Sequence, residues 1–181
     1  MTTLKITHDG IIPEYNVPNL VKQYDPILKK VPNMFDFSTR KHEAIPLANK
    51  LVDAMKKYGG IGLSACQVGI LENVFVMGVG EHIIAYFNPI IVSQSQNEIP
   101  LDEGCLSFPN LFMKVKRPDS ILVTYQDYNG EFHRNVRFDG ITAKCFHHEH
   151  DHLQGILFTE MVGPVTLEMA RKKQKKLNRR K

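Results

Sequence analysis

The sequence predicts an α+β fold, with mixed or antiparallel sheets around a central metal-binding helix. Short segments rich in β-branched and aromatic residues fill the middle of the chain and are separated by turn residues, as in strands. Segments with helical periodicity precede and follow them. The chain has 181 residues and 43% hydrophobic content, enough to bury one sizeable core. We predict one domain over residues 1–165 and a basic tail or helix over residues 166–181.

The first predicted helix directly precedes a glycine-rich segment. Its apolar side chains recur at helical spacing at Leu47, Leu51, Val52, Met55 and Tyr58. The glycines that follow at positions 59, 60 and 62 are not succeeded by Lys-Ser/Thr, and their spacing fits neither nucleotide-binding fingerprint. Close approach of the backbone to a peptide is the better explanation of these glycines.

The predicted strands lie between residues 74 and 138. Apolar, β-branched residues predict strands over 74–79 and 83–87, with Asn88-Pro89 interrupting before a strand resumes at 90–92. Residues 121–125 and 132–138 flank Asn129-Gly130, a strong turn signal, and therefore predict a hairpin.

The segment after this hairpin carries the pattern H-E-x-x-H. Residues 142–154 span about three and a half helical turns, with Asp139 as the predicted N-cap and Gly155 as the residue that ends the helix. Histidines four positions apart share one helix face, so His148 and His152 can hold a divalent metal with Glu149 beside them to move protons. The pattern indicates metal-assisted hydrolysis.

Other polar residues of this helix have structural explanations. His150 lies about 200° round the helix from His148, and His147 about 100° from it, so both are predicted to be structural. Asp151 lies near the metal face, where it either orients a ligand or is an ordinary surface carboxylate.

A catalytic metal needs a third protein ligand and an open position. The position at which some zinc proteases place a third histidine is Phe158, and the later carboxylates Glu160 and Glu168 lie close to the chain end. Upstream, the small-residue bend 101–109 offers Cys105, whose thiolate would be exposed there. Cysteine is a soft ligand and would complete a Cys-His-His site with room for one water.

Three segments resemble, in order and spacing, the signature motifs of peptide deformylases. They are residues 60–67 (GIGLSACQ), 103–107 (EGCLS) and 148–155 (HEHDHLQG). The resemblance runs from about residue 47 to 158 and implies a single catalytic domain that removes the formyl group from N-formyl-methionyl peptides and releases formate. In that family the motif cysteine and both histidines hold the metal, which here gives Cys105, His148 and His152.

The resemblance also implies the roles of other residues. Glu149 would be the general base that activates a metal-bound water and later protonates the departing amine. The Gln67 side chain and the Leu106 backbone amide would stabilise the oxyanion. Main-chain groups of three residues would bind the substrate as an added strand, namely Ile61, Gly62 and Gly104. Ile141 and Cys145, together with Ile61, match positions near the methionine pocket.

The resemblance leaves the identity of the metal open and comes with departures. The family is often iron-dependent, so Fe²⁺ is expected in the cell, while Zn²⁺, Ni²⁺ and Co²⁺ also suit a Cys-His-His site. Glu103 is expected to pair with Arg117. Ser64 stands where the family usually has Ala, His147 where it has Gln, and Phe108 where a smaller aliphatic residue is common. None of these departures removes a ligand or the base.

The net positive charge of the chain comes from its last eleven residues. Residues 171–181 hold eight basic and no acidic side chains, so with a formal net charge of +4 the remainder of the chain carries −4. A basic helix suits RNA phosphates, and in some deformylases a C-terminal helix docks on the ribosome; the alternative is a solvated, frayed terminus.

Composition also bears on the compartment and on the membrane. No run approaches the length of a membrane span, and residues 1–9 lack the apolar core of a signal peptide. Three cysteines, one of them a ligand, indicate a reducing compartment. We expect the cytoplasm of a bacterium or of a virus-infected bacterial cell, with an organelle as the alternative.

Two other functions are alternatives to deformylase activity. A metalloprotease built on this helix would cleave internal peptide bonds and would not need Cys105. A non-catalytic structural or ribosome-binding metal protein would leave the open coordination position unused.

Overall fold

The computed structural model describes residues 16–179. The helices are α1 (Phe37–Lys57), α2 (Gly140–Leu153) and α3 (Pro164–Asn178). The strands are β1 (Gly62–Ser64), β2 (Val74–Val79), β3 (His82–Gln94), β4 (Glu98–Cys105), β5 (Phe108–Pro118), β6 (Ser120–Gln126) and β7 (Phe132–Asp139). Single 3-10 turns occupy Pro26–Lys29, Ala65–Val68 and Phe158–Glu160. The predicted α+β class is confirmed, while residues 1–9 and the end of the basic tail at 180–181 lie outside the described part.

All strand pairs in the described part are antiparallel. A five-stranded sheet has the order β1-β2-β3-β6-β7, and β4 pairs with β5 in a separate two-stranded sheet. β1 is therefore an edge strand, bonded to β2 through Gly62↔Met77 and Ser64↔Phe75. The hairpin predicted around Asn129-Gly130 is confirmed, with β6 and β7 as its two strands.

Helix α2 lies between the sheets, as predicted. It packs against β1, β2, β6 and β7 of the large sheet and against β5 of the small one. Phe146 is fully buried on this helix and makes edge-to-face contacts with Phe75 and Tyr86. The helix begins at Gly140, two residues before the predicted start, and Gly155 ends it with a φ of 68°. Asp139 is the N-cap by position, but its carboxylate binds Arg137 instead of the helix amides.

Three local predictions need correction. Helix α1 begins at Phe37, well before the predicted apolar repeat, and contains Pro46. Asn88-Pro89 does not interrupt its strand, because β3 continues through it by register shifts, with Asn88 at a φ of 48°. The predicted bend over 101–109 is shorter than expected, because β4 runs to Cys105, β5 starts at Phe108, and only residues 106–107 form the turn between them.

Helix α3 packs on the small sheet. Gln174 is buried and its Nε2 donates to the Pro109 carbonyl at 2.8 Å, while Leu167 and Ala170 pack against the core beneath β5. The helix starts at Pro164, so the predicted division at 165/166 falls within its first turn and stays a prediction. None of the helices within residues 16–179 has the length and apolarity to cross a membrane.

Candidate functional site

The side chains of Cys105, His148 and His152 converge in the interior. One potential ligand atom from each lies within 4.8 Å of the others, and all three residues are buried. Cys105 Sγ lies 3.3 Å from His152 Nε2. At typical metal–sulfur and metal–nitrogen distances, a tetrahedral edge is roughly 3.5 Å. One thiolate and two imidazoles at this spacing fit a divalent transition metal.

The fold brings these ligands in from two elements. His148 and His152 are one turn apart on α2, with ring centroids 5.1 Å apart. Cys105 is the last residue of β4, where a register shift after Gly104 changes the pairing with β5. Cys105 is only 9% exposed, so the prediction that its thiolate is exposed is wrong. β4 and α2 both pack on the core, and their meeting point places the thiol among the imidazoles.

The electrostatics favour a thiolate at Cys105. Burial alone would raise the pKa of this thiol, but His152 and His148 outweigh burial and hold the pKa at about 6. A thiolate is the form that binds metals.

A buried ion network supports His148 from behind. Its Nδ1 lies 2.7 Å from Glu103 Oε1. Glu103 forms the expected pair with Arg117, at 2.8 Å, and Arg117 also contacts Asp151. Arg117 is fully buried, and Asp151 is buried as well, so Asp151 is not the surface carboxylate of the alternative prediction. A histidine whose Nδ1 donates to a carboxylate presents Nε2 to a metal in a fixed orientation.

Glu149 lies beside the ligand cluster with its carboxylate anchored. Ser64 Oγ lies 2.7 Å from Glu149 Oε2, within donating distance. A Cβ placed on Gly62 would lie 2.5 Å from Glu149 Oε1, so β1 can pass this carboxylate only because residue 62 lacks a side chain. Glu149 is only 4% exposed, but it lines the cavity.

Gln67 is fixed in the same wall by hydrogen bonds at both ends of its amide. Its Oε1 accepts from the Ser64 backbone N–H at 2.8 Å. Its Nε2 donates to Cys105 Sγ at 3.3 Å and to Ser107 Oγ at 3.1 Å. The amide is thereby oriented with its donor side toward the metal cluster.

A cavity of about 570 Å³ opens beside these groups. All predicted site residues except His152 line it: Ile61, Gly62, Gln67, Gly104, Cys105, Leu106, Ile141, Cys145, His148 and Glu149. His152 is 1% exposed and holds its position behind the wall. Gly62 of β1 and the end of β4 both line this space, and its lining is mainly apolar.

Comparison with known proteins agrees with this arrangement. A model of the polypeptide deformylase family matches residues 17–168. The chain belongs to the peptide deformylase family. It is 37% identical over 150 residues to a peptide deformylase of Thermotoga petrophila, a match that covers 82% of this chain and 89% of the relative.

Two further peptide deformylases extend the comparison. Chloroplastic peptide deformylase 1B of rice is 38% identical over 170 residues, and the match covers 89% of this chain but only 61% of the rice protein. The crystal structure of a Legionella pneumophila peptide deformylase superimposes with a TM-score of 0.82 at 30% identity, covering 91% of this chain and 96% of that one. The α+β fold is therefore that of the peptide deformylases.

The structure adds residues that the sequence did not assign to the deformylase site. Ser64 was noted as a departure, yet its hydroxyl and amide hold Glu149 and Gln67. Lys144 is buried in the cavity wall, where its Nζ donates to the Leu101 carbonyl at 2.6 Å and lies 3.7 Å from Glu103. The sequence signal that could have indicated this contact is the position of Lys144, one helical turn before His148.

Proposed function

We propose that Cys105, His148 and His152 bind one divalent metal ion, and that this site removes the formyl group from nascent N-formyl-methionyl polypeptides. The observation that carries the proposal is the convergence of these three ligands beside a cavity that Glu149 and Gln67 line. The family to which the chain belongs is metal-dependent and acts on formylated nascent peptides.

The donor set narrows the choice of metal to ions that accept sulfur and nitrogen. Fe²⁺ is the ion we propose for the cell, and Zn²⁺, Ni²⁺ and Co²⁺ fit the same ligands. A bound ion supplies a water of lowered pKa and a Lewis acid for the formyl oxygen.

Glu149 is the proposed proton carrier. Its carboxylate accepts a proton from the attacking water as the water oxygen bonds to the formyl carbon. The same proton then passes to the amine nitrogen as the carbon–nitrogen bond breaks, leaving formate and a free methionyl amine. The contact with Ser64 Oγ leaves Oε1 of the carboxylate for this task.

Gln67 and the Leu106 amide are the proposed oxyanion donors. The Gln67 amide is held at Oε1 by Ser64, so its Nε2 cannot turn away when charge develops on the formyl oxygen. Leu106 follows the ligand Cys105 and lines the cavity, which supports the proposal that its backbone amide is the second donor.

The cavity mouth provides the proposed peptide site. β1 has an unpaired edge, so an extended peptide can add beside Gly62 while Gly104 supplies main-chain groups from the other side. The Ile61 carbonyl accepts from the Gly78 amide at 2.9 Å and is committed to the sheet. Ile141 and Cys145, one turn apart on α2, would line the pocket for the methionine side chain.

Helix α3 is the proposed contact with the ribosome. Its packed side faces β5, whereas Lys172, Lys173, Lys175 and Lys176 are exposed. Exposed lysines along a docked helix suit RNA phosphates. We place this activity in the bacterial cytoplasm or in an organelle, since relatives come from bacteria and from chloroplasts.

The variant Glu149→Ala tests the proposed site. We expect a full equivalent of metal to remain bound, because no ligand is changed, while formate release falls by about 10³-fold or more. Metal analysis and formate release on the same preparation give both quantities. Near wild-type turnover in fully metallated Glu149→Ala would contradict the assigned role.

A further inference from the structure

Phe112 is a large apolar side chain exposed at the rim of the cavity. It is 60% exposed and lines the cavity. Burial alternates along this part of β5, so Phe112 shares the exposed face of the strand with Lys114 and Lys116. It belongs to none of the apolar clusters that form the core of the described residues. Core packing therefore does not explain a phenylalanine at this position.

The ring of Phe112 lies against the main chain of the proposed peptide site. Gly104 is directly opposite Phe112 in the β4–β5 pair. A Cβ on Gly104 would lie 2.5 Å from Phe112 Cε1 and 2.7 Å from Cδ1, so the ring occupies the space that a side chain at this glycine would fill. The main chain of Gly104 is proposed to bind substrate, which would bring a bound peptide close to the ring. The exposed part of the ring is then free to contact the side chains of that peptide.

Two further exposed apolar side chains line the same cavity. Ile61 directly precedes β1 and is 48% exposed, and Ile141 on α2 is 60% exposed. Single exposed apolar residues are normal on protein surfaces, but several that line one cavity indicate a site for an apolar ligand. Ile61 and Ile141 are assigned above to the methionine pocket. Phe112 extends this apolar lining onto the small sheet.

We propose that Phe112 is a specificity-determining residue, whose ring binds a large apolar side chain at one of the two substrate positions after the formyl-methionine. The inference rests on the proposed function and names a preferred class of nascent chain. An extended peptide advances about 3.3 Å per residue, so both positions lie within roughly 7 Å of the methionine along the chain. One peptide can thereby place its methionine beside Ile141 and Cys145 and a following side chain on Phe112.

Formate release from three N-formyl peptides by the metal-loaded protein tests the proposal. The peptides are formyl-Met-Ala-Ala-amide and its two relatives with Leu at the second or the third position. Partial burial of a leucine against an exposed ring is worth about tenfold in kcat/KM, so we expect the wild type to prefer one Leu peptide by that factor, chiefly through KM. Phe112→Ala should reduce the preference to less than about threefold, whereas Phe112→Leu keeps an apolar side chain and should retain an intermediate preference.

Phe132→Ala is the matched control for loss of an exposed phenylalanine. Phe132 is 57% exposed but lies outside the cavity lining, so this variant should keep the full preference. Equal kcat/KM of the wild type for all three peptides would overturn the proposal while leaving the deformylase function intact. A preference that survives undiminished in Phe112→Ala, or that is lost equally in Phe132→Ala, would do the same. No formate from any of the peptides with fully metallated protein would refute the deformylase function itself and the proposal with it.

Discussion

At the scale of single residues, Ser64 holds two of the side chains that line the cavity. Its backbone amide holds Gln67 and its hydroxyl reaches Glu149, so one residue fixes the proposed oxyanion donor and the proposed base. Ser64 is fully buried, and water does not compete for either contact. Groups held in place in this way can stabilise developing charge with little movement, since Gln67 Nε2 needs only to exchange one of its present acceptors for the formyl oxygen.

Replacing Gln67 by Met tests the donor role at nearly constant volume. We expect turnover to fall by about 10²- to 10³-fold, because one oxyanion donor is lost while all metal ligands remain. Steady-state formate release at measured metal content checks this. Ser107→Ala removes a neighbour of the Gln67 amide but no donor to substrate, and should cost far less. A loss in Ser107→Ala as large as that in Gln67→Met would contradict the assignment.

The variant Gly62→Ala tests how closely β1 approaches α2. A Cβ there would lie 2.5 Å from Glu149 Oε1 and 3.0 Å from Cys145 Sγ. We expect Gly62→Ala to displace the carboxylate and lower turnover by at least about tenfold, with metal content unchanged. Gly163→Ala is the matched control, since its Cβ would meet nothing within 4 Å. Unchanged turnover in Gly62→Ala would show that the carboxylate is free to move.

At the scale of elements, a buried ion network joins β4, β5 and α2. Arg117 on β5 binds Glu103 on β4 and Asp151 on α2. Arg117 is completely buried and bonds both carboxylates, whereas Lys144 lies 3.7 Å from Glu103 alone. The network fixes the strand that ends in Cys105 against the helix that carries both histidines.

Arg117→Met should strongly destabilise the metal-free protein. Breaking a buried ion pair by removing one partner typically costs about 3–5 kcal/mol in the free energy of unfolding. Arg137→Met is the control, because Arg137 pairs with Asp139 at the surface and such pairs contribute about 1 kcal/mol or less. Urea unfolding measures both variants. Equal losses of stability would mean that the network does not hold the elements together.

Elements with local sequence signals were easier to predict than elements that depend on distant contacts. The hairpin around Asn129-Gly130 and the helix with H-E-x-x-H were predictable, because turn chemistry and helical spacing lie within a few residues. β4 was missed because Pro100 and Gly104 have poor strand propensity and its pairing with β5 supplies the stabilisation. The early part of α1 was missed because Pro46 argues locally against a helix.

At the scale of the whole molecule, the proposed metal site joins parts of the chain that are distant in sequence. Cys105 comes from the small sheet and the histidines from the helix between the sheets. The ordered motifs predicted which segments meet. They did not predict the contacts of Ser64 with Glu149 or of Cys66 with His152, because those depend on side-chain orientation in the packed core.

Metal removal should lower the stability of the whole domain. An ion present at 1,000 times its dissociation constant stabilises the native state by about 4 kcal/mol. For a domain of this size that corresponds to a fall of roughly 10 °C in Tm on chelation. Calorimetry with and without chelator measures this fall. The Tm of Cys105→Ala should change little when chelator is added, because this variant has lost a metal ligand. A chelator effect of equal size in Cys105→Ala would place the stabilising metal elsewhere.

The most direct test of the central claim is formate release from a short N-formyl-methionyl peptide by protein purified without oxygen and with its metal counted. The site described above predicts rapid release that a chelator suppresses and that is absent when acetyl replaces formyl. No release from fully metallated protein would contradict the claim that this chain removes formyl groups from nascent peptides.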